Sequence, residues 1–294
     1  MVNPPVNGEA LRAYARKEYW SVLALSFPAL LLVSVVLFLP TGWLFALSFF
    51  DDAGQLSLVN YQRLVEQPSY LRVFQTTFLL SLAVTFFTVL IGYPLAYLLS
   101  QLPRRVANFC LLAVLLPFWT SLLVRTYAWL VLLQRNGLIN TTLRDLGLTD
   151  EPLRLVHNFT GAAIGMTHIM VPFLVLPLYA SMRAINPNYV KAAANLGAGP
   201  ARSFWDVFVP LSLPGLLAGI SLVFVLCLGF YVTPALLGGG KVIMIALRID
   251  MNLRLYNSWG AASALGVVLL IATGLILYLA NRLTRAGFGA GAFR

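Results

Sequence analysis

Within the long apolar stretches of this chain, the side chains most able to carry charge are Arg125 and His168, and no carboxylate accompanies them. An ionisable group at membrane depth is costly and marks a path, a gate or a pair. Arg125 can hold an anion, bind backbone carbonyls or snorkel outward, and a charged partner for it has to come from an outer-rim acid, another subunit or a substrate. His168 lacks a second nitrogen, sulfur or carboxylate ligand nearby, so a metal site is not expected and a neutral hydrogen-bonding role between helices is. Cys110 and Cys227 fall in different apolar runs and read as buried thiols rather than a disulfide. Gly238, Gly239, Gly240 and Lys241 imitate a phosphate loop, but Ala235 stands where its first glycine belongs and Val242 where its hydroxyl belongs. A flexible turn is the expectation there. No zinc motif, nucleophile elbow or intramembrane carboxylate pair is present, so an intramembrane enzyme is disfavoured.

The elements that must position these residues are hydrophobic. The 294 residues are 60% hydrophobic and 10% charged, with a mean hydropathy of +0.83. That composition is a membrane protein's. Uncharged runs cover residues 19–50, 73–103, 155–182, 207–240 and 255–281, and a sixth, 106–134, is interrupted only by Arg125. Each can hold the roughly 20 apolar residues that cross a bilayer as a helix. The expectation is an all-α membrane protein with six transmembrane helices, near 21–48, 73–100, 108–134, 160–182, 212–236 and 259–281. Residues 1–18 read as a cytoplasmic arm, 19–285 as the six-span domain and 286–294 as a cytoplasmic tail. No cleavable signal peptide is expected, because the first apolar run is too long for a signal core.

The net charge of +10 lies in the loops, which removes nucleic acid as the natural partner. With a cytoplasmic N-terminus, the inner set is Arg12, Arg16, Lys17, Arg104, Arg105, Arg183, Lys191, Arg202, Arg282, Arg285 and Arg294. The outer set is Arg63, Arg72, Arg135, Arg144, Arg154, Lys241, Arg248 and Arg254. This excess favours both termini in the cytoplasm.

Between the fourth and fifth runs lies a polar island, YVKAAANLGAGPARSFWDVFVPLSLPG, residues 189–215. Asn186 can cap a helix that begins at Pro187, and Gly197 can end it in the left-handed conformation. Gly199 and Pro200 start a second short helix through Phe204, Trp205 and Phe208, which Pro210 and Pro214 are expected to close. The small face at Ala192, Ala193 and Ala194 suits close approach by another backbone.

This segment resembles the EAA loop of permease subunits of binding-protein-dependent ABC importers, whose pattern is Glu-Ala-Ala, three residues, Gly, nine residues, Ile-x-Leu-Pro. Ala192, Ala193, Gly197 and Pro210 fall on that pattern, with Val207 and Val209 as aliphatic replacements. Lys191 departs from it, standing where the family usually has Glu. PFWTSLLVRTYAW and GFYVTPALLGGG add similarity to the spermidine/putrescine branch, specifically its first permease subunit.

The resemblance implies the type I importer permease fold in the bacterial inner membrane. It also implies pairing with a homologous second permease, two cytoplasmic ATPase subunits and an extracytoplasmic solute-binding protein. ATP and magnesium would be used by the ATPases, and this chain would have neither catalytic residues nor a cofactor. The coupling loop, 186–210, would act through Lys191, Ala192, Ala193, Gly197 and Pro210. For a polyamine, a flexible polycation, carboxylates and aromatic faces are the suitable ligands. Trp119, Tyr127, Trp129, Phe230, Tyr231 and Asp250 are the path candidates, and Arg125 would be a gate, a structural pair or an anion ligand. Ferric iron, another amine or a small anion is the alternative cargo within the class. A self-contained channel or secondary transporter is disfavoured by the loop match and by the lack of intramembrane acids for ion coupling.

Overall fold

The computed structural model describes residues 8–51 and 54–289; the outermost residues of the expected arm and tail, 1–7 and 290–294, lie outside the described residues. Among the described residues the regular secondary structure is helical, apart from an isolated bridge between Phe50 and Leu56, with turns and loops between the helices. The helices are α1 (Gly8–Leu47), α2 (Val59–Glu66), α3 (Pro68–Gln101), α4 (Arg104–Leu115), α5 (Leu122–Leu133), α6 (Leu138–Asp145) and α7 (Phe159–Ala184). They continue as α8 (Pro187–Asn195), α9 (Pro200–Ser203), α10 (Val209–Leu228), α11 (Val232–Leu237), α12 (Ile245–Arg254) and α13 (Trp259–Gly289).

Five continuous stretches are long and apolar enough to span a bilayer: Arg16–Leu47, Pro68–Gln101, Phe159–Ala184, Pro200–Leu228 and Trp259–Leu279. The sixth crossing is a pair, Arg104–Trp119 and Leu122–Asp145, bent by 95°. The sequence predicts a single spanning helix over 108–134; the break has a local cause. Pro117 cannot donate to the helix ladder, the chain tightens into a 3-10 turn at Leu116–Trp119, and Thr120 becomes extended with its hydroxyl on the Pro117 carbonyl at 2.8 Å.

A second difference concerns Pro210 and Pro214. Rather than closing a separate helix, they lie within one continuous run from Pro200 to Leu228. A single π-turn at Phe204–Phe208 joins α9 to α10, with Pro210 at the start of α10, where a missing N–H costs least. The fifth run therefore starts earlier than expected and stops at Leu228, before Gly229. At the N-terminus, no break separates an arm from the first span, since α1 is continuous from Gly8.

The helices α3, α7 and α10 form the centre, with Leu80, Val84, Met166, Met170, Leu174, Val223 and Cys227 in one buried cluster. On α3 the buried side mixes the small or polar residues Thr77, Ser81, Thr88, Gly92 and Ala96 with Leu80, Val84 and Leu99, while Leu79, Leu82, Phe86 and Ile91 on its outer surface are large and exposed. Lipid favours both features: small residues let helices approach, and apolar bulk faces acyl chains. Thr77 and Thr85 satisfy their hydroxyls locally, on the Val73 carbonyl at 2.8 Å and the Ser81 carbonyl at 2.7 Å, whereas Ser81 Oγ and Thr88 Oγ1 are buried with no hydrogen-bond partner. Tyr93 and Ser212 share a hydrogen bond of 3.0 Å between α3 and α10.

Candidate functional site

At one end of the bundle, α8 stands out as an amphipathic helix with no buried residue of its own. The Asn186 side chain accepts the Asn188 N–H at 3.0 Å, and Pro187 occupies the first turn, as the sequence predicts. The helix stops through paired backbone bonds, Gly197 N–H to the Ala194 carbonyl and Ala198 N–H to the Ala193 carbonyl, both 3.0 Å. Such a stop needs a left-handed residue, and Gly197 supplies it at φ +86°.

Lys191 and Ala192 are exposed, Ala193 is half-buried, and Pro210 is exposed at the start of α10. Leu196 is 89% exposed and Trp205 66% exposed, a pair of apolar side chains presented outward from this end. Behind α8 lies a cavity of about 790 Å³ lined by Tyr97, Gln101, Arg183, Lys191, Phe204 and Phe208, among others. Arg183 closes its rim: its Nη1 donates to the Ser100 carbonyl at 2.8 Å and to the Leu102 carbonyl at 3.2 Å, capping the C-terminus of α3. Tyr97 packs edge-on against both Phe204 and Phe208. The loop is thus tied to α3 and α10 by aromatic contact. Arg183 had been counted only as a loop charge, and its capping role has no signature beyond its place in the last turn of α7.

The expected path residues fall on several different elements. Arg125 and Trp129 lie one turn apart on α5, and Trp129 meets His168 of α7 edge-on, ring centroids 5.6 Å apart. The Arg125 Nε, His168 Nδ1 and Thr167 Oγ1 atoms are buried with no hydrogen-bond partner. The expected interhelical hydrogen bond of His168 is thus not made through Nδ1, and a ring contact replaces it. Trp129, Thr167 and His168 line an apolar cavity of about 690 Å³ that extends to Phe87, Pro117 and Pro172. Trp119 ends the 3-10 turn and is exposed, and Tyr127 is exposed two residues along from Arg125, off its face. Phe230 packs against the central cluster and serves the core. A hydroxyl pair unforeseen from sequence, Thr126 and Thr233 at 3.0 Å, links α5 to α11.

At the end opposite α8, Tyr231 occupies the break between α10 and α11, and its hydroxyl donates to Asp250 Oδ2 at 3.1 Å. The other oxygen, Oδ1, accepts from Arg254 Nε at 2.6 Å. This bond to the carboxylate holds the Tyr231 phenol above its ordinary pKa. The nearby Gly238–Gly240 turn is less free than expected: Gly239, at φ +56°, lies against the His157 ring, itself left-handed at φ +58°. Asn158 N–H donates to the Leu237 carbonyl at 3.3 Å beside it.

The architecture is that of a multi-helix membrane protein. The structure of a bacterial alginate ABC transporter in complex with an alginate pentasaccharide-bound periplasmic protein has a chain of the same fold, at a TM-score of 0.73 and 18% identity, over 92% of this chain and 96% of that one. Residues 20–286 match the binding-protein-dependent transport system inner membrane component family, and the chain belongs to that family. It is 33% identical over 254 residues to the spermidine/putrescine transport system permease protein PotB of Escherichia coli (strain K12), covering 84% of this chain and 92% of that protein. It is 32% identical over 267 residues to PotB of Haemophilus influenzae, covering 90% and 91%.

Proposed function

We propose that this chain is a permease subunit of an ABC importer that carries a polyamine, spermidine or putrescine, across the inner membrane. The observation that carries the reading is the 33% identity to a spermidine/putrescine permease, extended over 84% of the chain rather than confined to the loop. In the working assembly it pairs with a homologous permease, two ATPase subunits and an extracytoplasmic binding protein. ATP and magnesium are used by the ATPases, and this chain has no hydrolytic site of its own. Both termini and the 186–210 loop face the cytoplasm.

Mechanistically, α8 is the element the ATPases push. It exposes Ala192 and, at the mouth of the cavity behind it, Lys191, and its stop at Gly197 turns the chain directly into the run that becomes α10. Because α9, the π-turn and α10 are continuous, displacement of α8 and α9 passes along a rigid rod into the centre of the bundle. The aromatic contacts of Tyr97 carry the same displacement to α3. With Lys191 in place of the usual Glu, the facing ATPase group is expected to be neutral or acidic.

The test is ATPase activity of the reconstituted assembly with binding protein, in the presence and absence of spermidine or putrescine. Stimulation that requires both supports a polyamine importer, and an active complex indifferent to polyamines rejects that cargo. A second reading, an anionic cargo, is favoured by the buried, unpartnered Nε of Arg125, one helical turn from the Trp129 that lines the α5–α7 cavity. Molybdate-sized anions added with their binding protein would then give the stimulation that polyamines do not.

A further inference from the structure

We infer that Arg254 is a tethered stand-in for a cargo ammonium, occupying the Asp250 carboxylate until the cation displaces it. The inference rests on the polyamine reading above and adds to it a residue that controls entry. Asp250 has both oxygens engaged, one by a neutral phenol and one by a cation. The two partners differ in how they are held. Tyr231 sits in the short break between α10 and α11 and is 37% exposed, whereas Arg254 belongs to the last turn of α12, with its side chain 76% exposed against 27% for Asp250.

The cation is therefore the replaceable partner. An exposed ion pair one turn apart on a helix is worth about 0–1 kcal/mol, so an ammonium with the Tyr231 ring as a second contact can displace it. A primary or secondary ammonium offers N–H donors to Oδ1 while the Tyr231 hydroxyl stays on Oδ2. Displacement also frees the end of α12 from its internal tie, next to the helix break that Tyr231 occupies. A rival explanation is that the pair only stiffens α12.

Equilibrium dialysis of labelled spermidine against the purified full complex, without binding protein, separates the two. Arg254→Gln should tighten binding by about two- to fivefold, the ratio that loss of a competing pair of up to 1 kcal/mol allows. Asp250→Asn should weaken binding, and the double variant should match Asp250→Asn alone; Arg254→Lys should behave as the parent. Unchanged binding in Arg254→Gln, additive effects in the double variant, or no detectable binding to any complex would each overturn the inference, as would a loss of thermal stability alone. If the parent assembly with binding protein fails to import spermidine, the polyamine reading itself falls. If it imports spermidine and the variants bind alike, only the role of Arg254 falls.

Discussion

The Cδ2 methyl of Leu174 on α7 lies 2.7 Å from where a Cβ on Gly92 of α3 would sit. Its Cδ1 methyl is 2.8 Å from the corresponding point on Gly219 of α10, and the side chain is fully buried. One leucine thus sets the spacing of all three central helices. Its methyls are clasped from two sides, so neither can yield to an added carbon. Gly92→Val should destabilise by about 1–3 kcal/mol through overpacking, and Leu174→Ala by about 2–5 kcal/mol through a cavity. Thermal melting of the purified complex checks both. The double variant Gly92→Ala with Leu174→Val should cost less than the sum of its parts, because the smaller side chain makes room.

At the coupling loop, nothing lies within 4 Å of a Cβ built on Gly197, so a substitution there acts through φ and not through crowding. Strain at a left-handed residue costs of order 1–3 kcal/mol and is greatest for β-branched side chains, while Asn tolerates the conformation. Transport per ATP hydrolysed should fall in the order Gly, Asn, Ala, Val. Gly197→Val should uncouple at normal expression. Equal coupling in all four would remove the loop from the mechanism.

Arg183 supplies two charge-assisted bonds to the end of α3. Arg183→Ala should lower stability by about 1–3 kcal/mol, and Arg183→Lys should recover part of it, since an ammonium can reach one carbonyl but lacks the fork. A melting curve for each variant, with uptake measured alongside, distinguishes this cap from a role in ATPase contact. A contact role would reduce uptake with no change in melting.

Arg125 separates the two cargoes. If the cargo is a polycation, Arg125→Ala should retain spermidine uptake within about tenfold, a change of roughly 1.4 kcal/mol in the transport barrier. If the cargo is an anion, Arg125→Ala should abolish uptake and Arg125→Lys should restore it. Initial rates in proteoliposomes give the answer.

The parts legible in the sequence were those governed by local chemistry. Asn186, Pro187 and Gly197 cap and stop a helix through their own side chains and backbone preferences, so α8 appears where its residue types require it. The five continuous spans follow from apolar length alone. The bend near Trp119 was hidden by that same criterion, because hydropathy averages over the break, although Pro117 followed by Thr120 and Ser121 carried the signal. Pro210 points the other way: its missing N–H reads as a stop in the sequence, but it falls in the first turn of α10, just after a π-turn. Pairings between distant elements, such as Thr126 with Thr233 and His157 with Gly239, depend on tertiary placement that no spacing encodes. The Asp250–Arg254 pair was readable as a one-turn spacing, but only the structure adds Tyr231 to it.

The most direct test of the account is accumulation of labelled spermidine in proteoliposomes containing the complete assembly, with cargo-loaded binding protein on one side and ATP on the other. The account predicts uptake against a gradient that requires both, and that unlabelled putrescine suppresses. Uptake without ATP would contradict the importer assignment, and an ATP-hydrolysing assembly that moves an anion while ignoring spermidine would contradict the cargo.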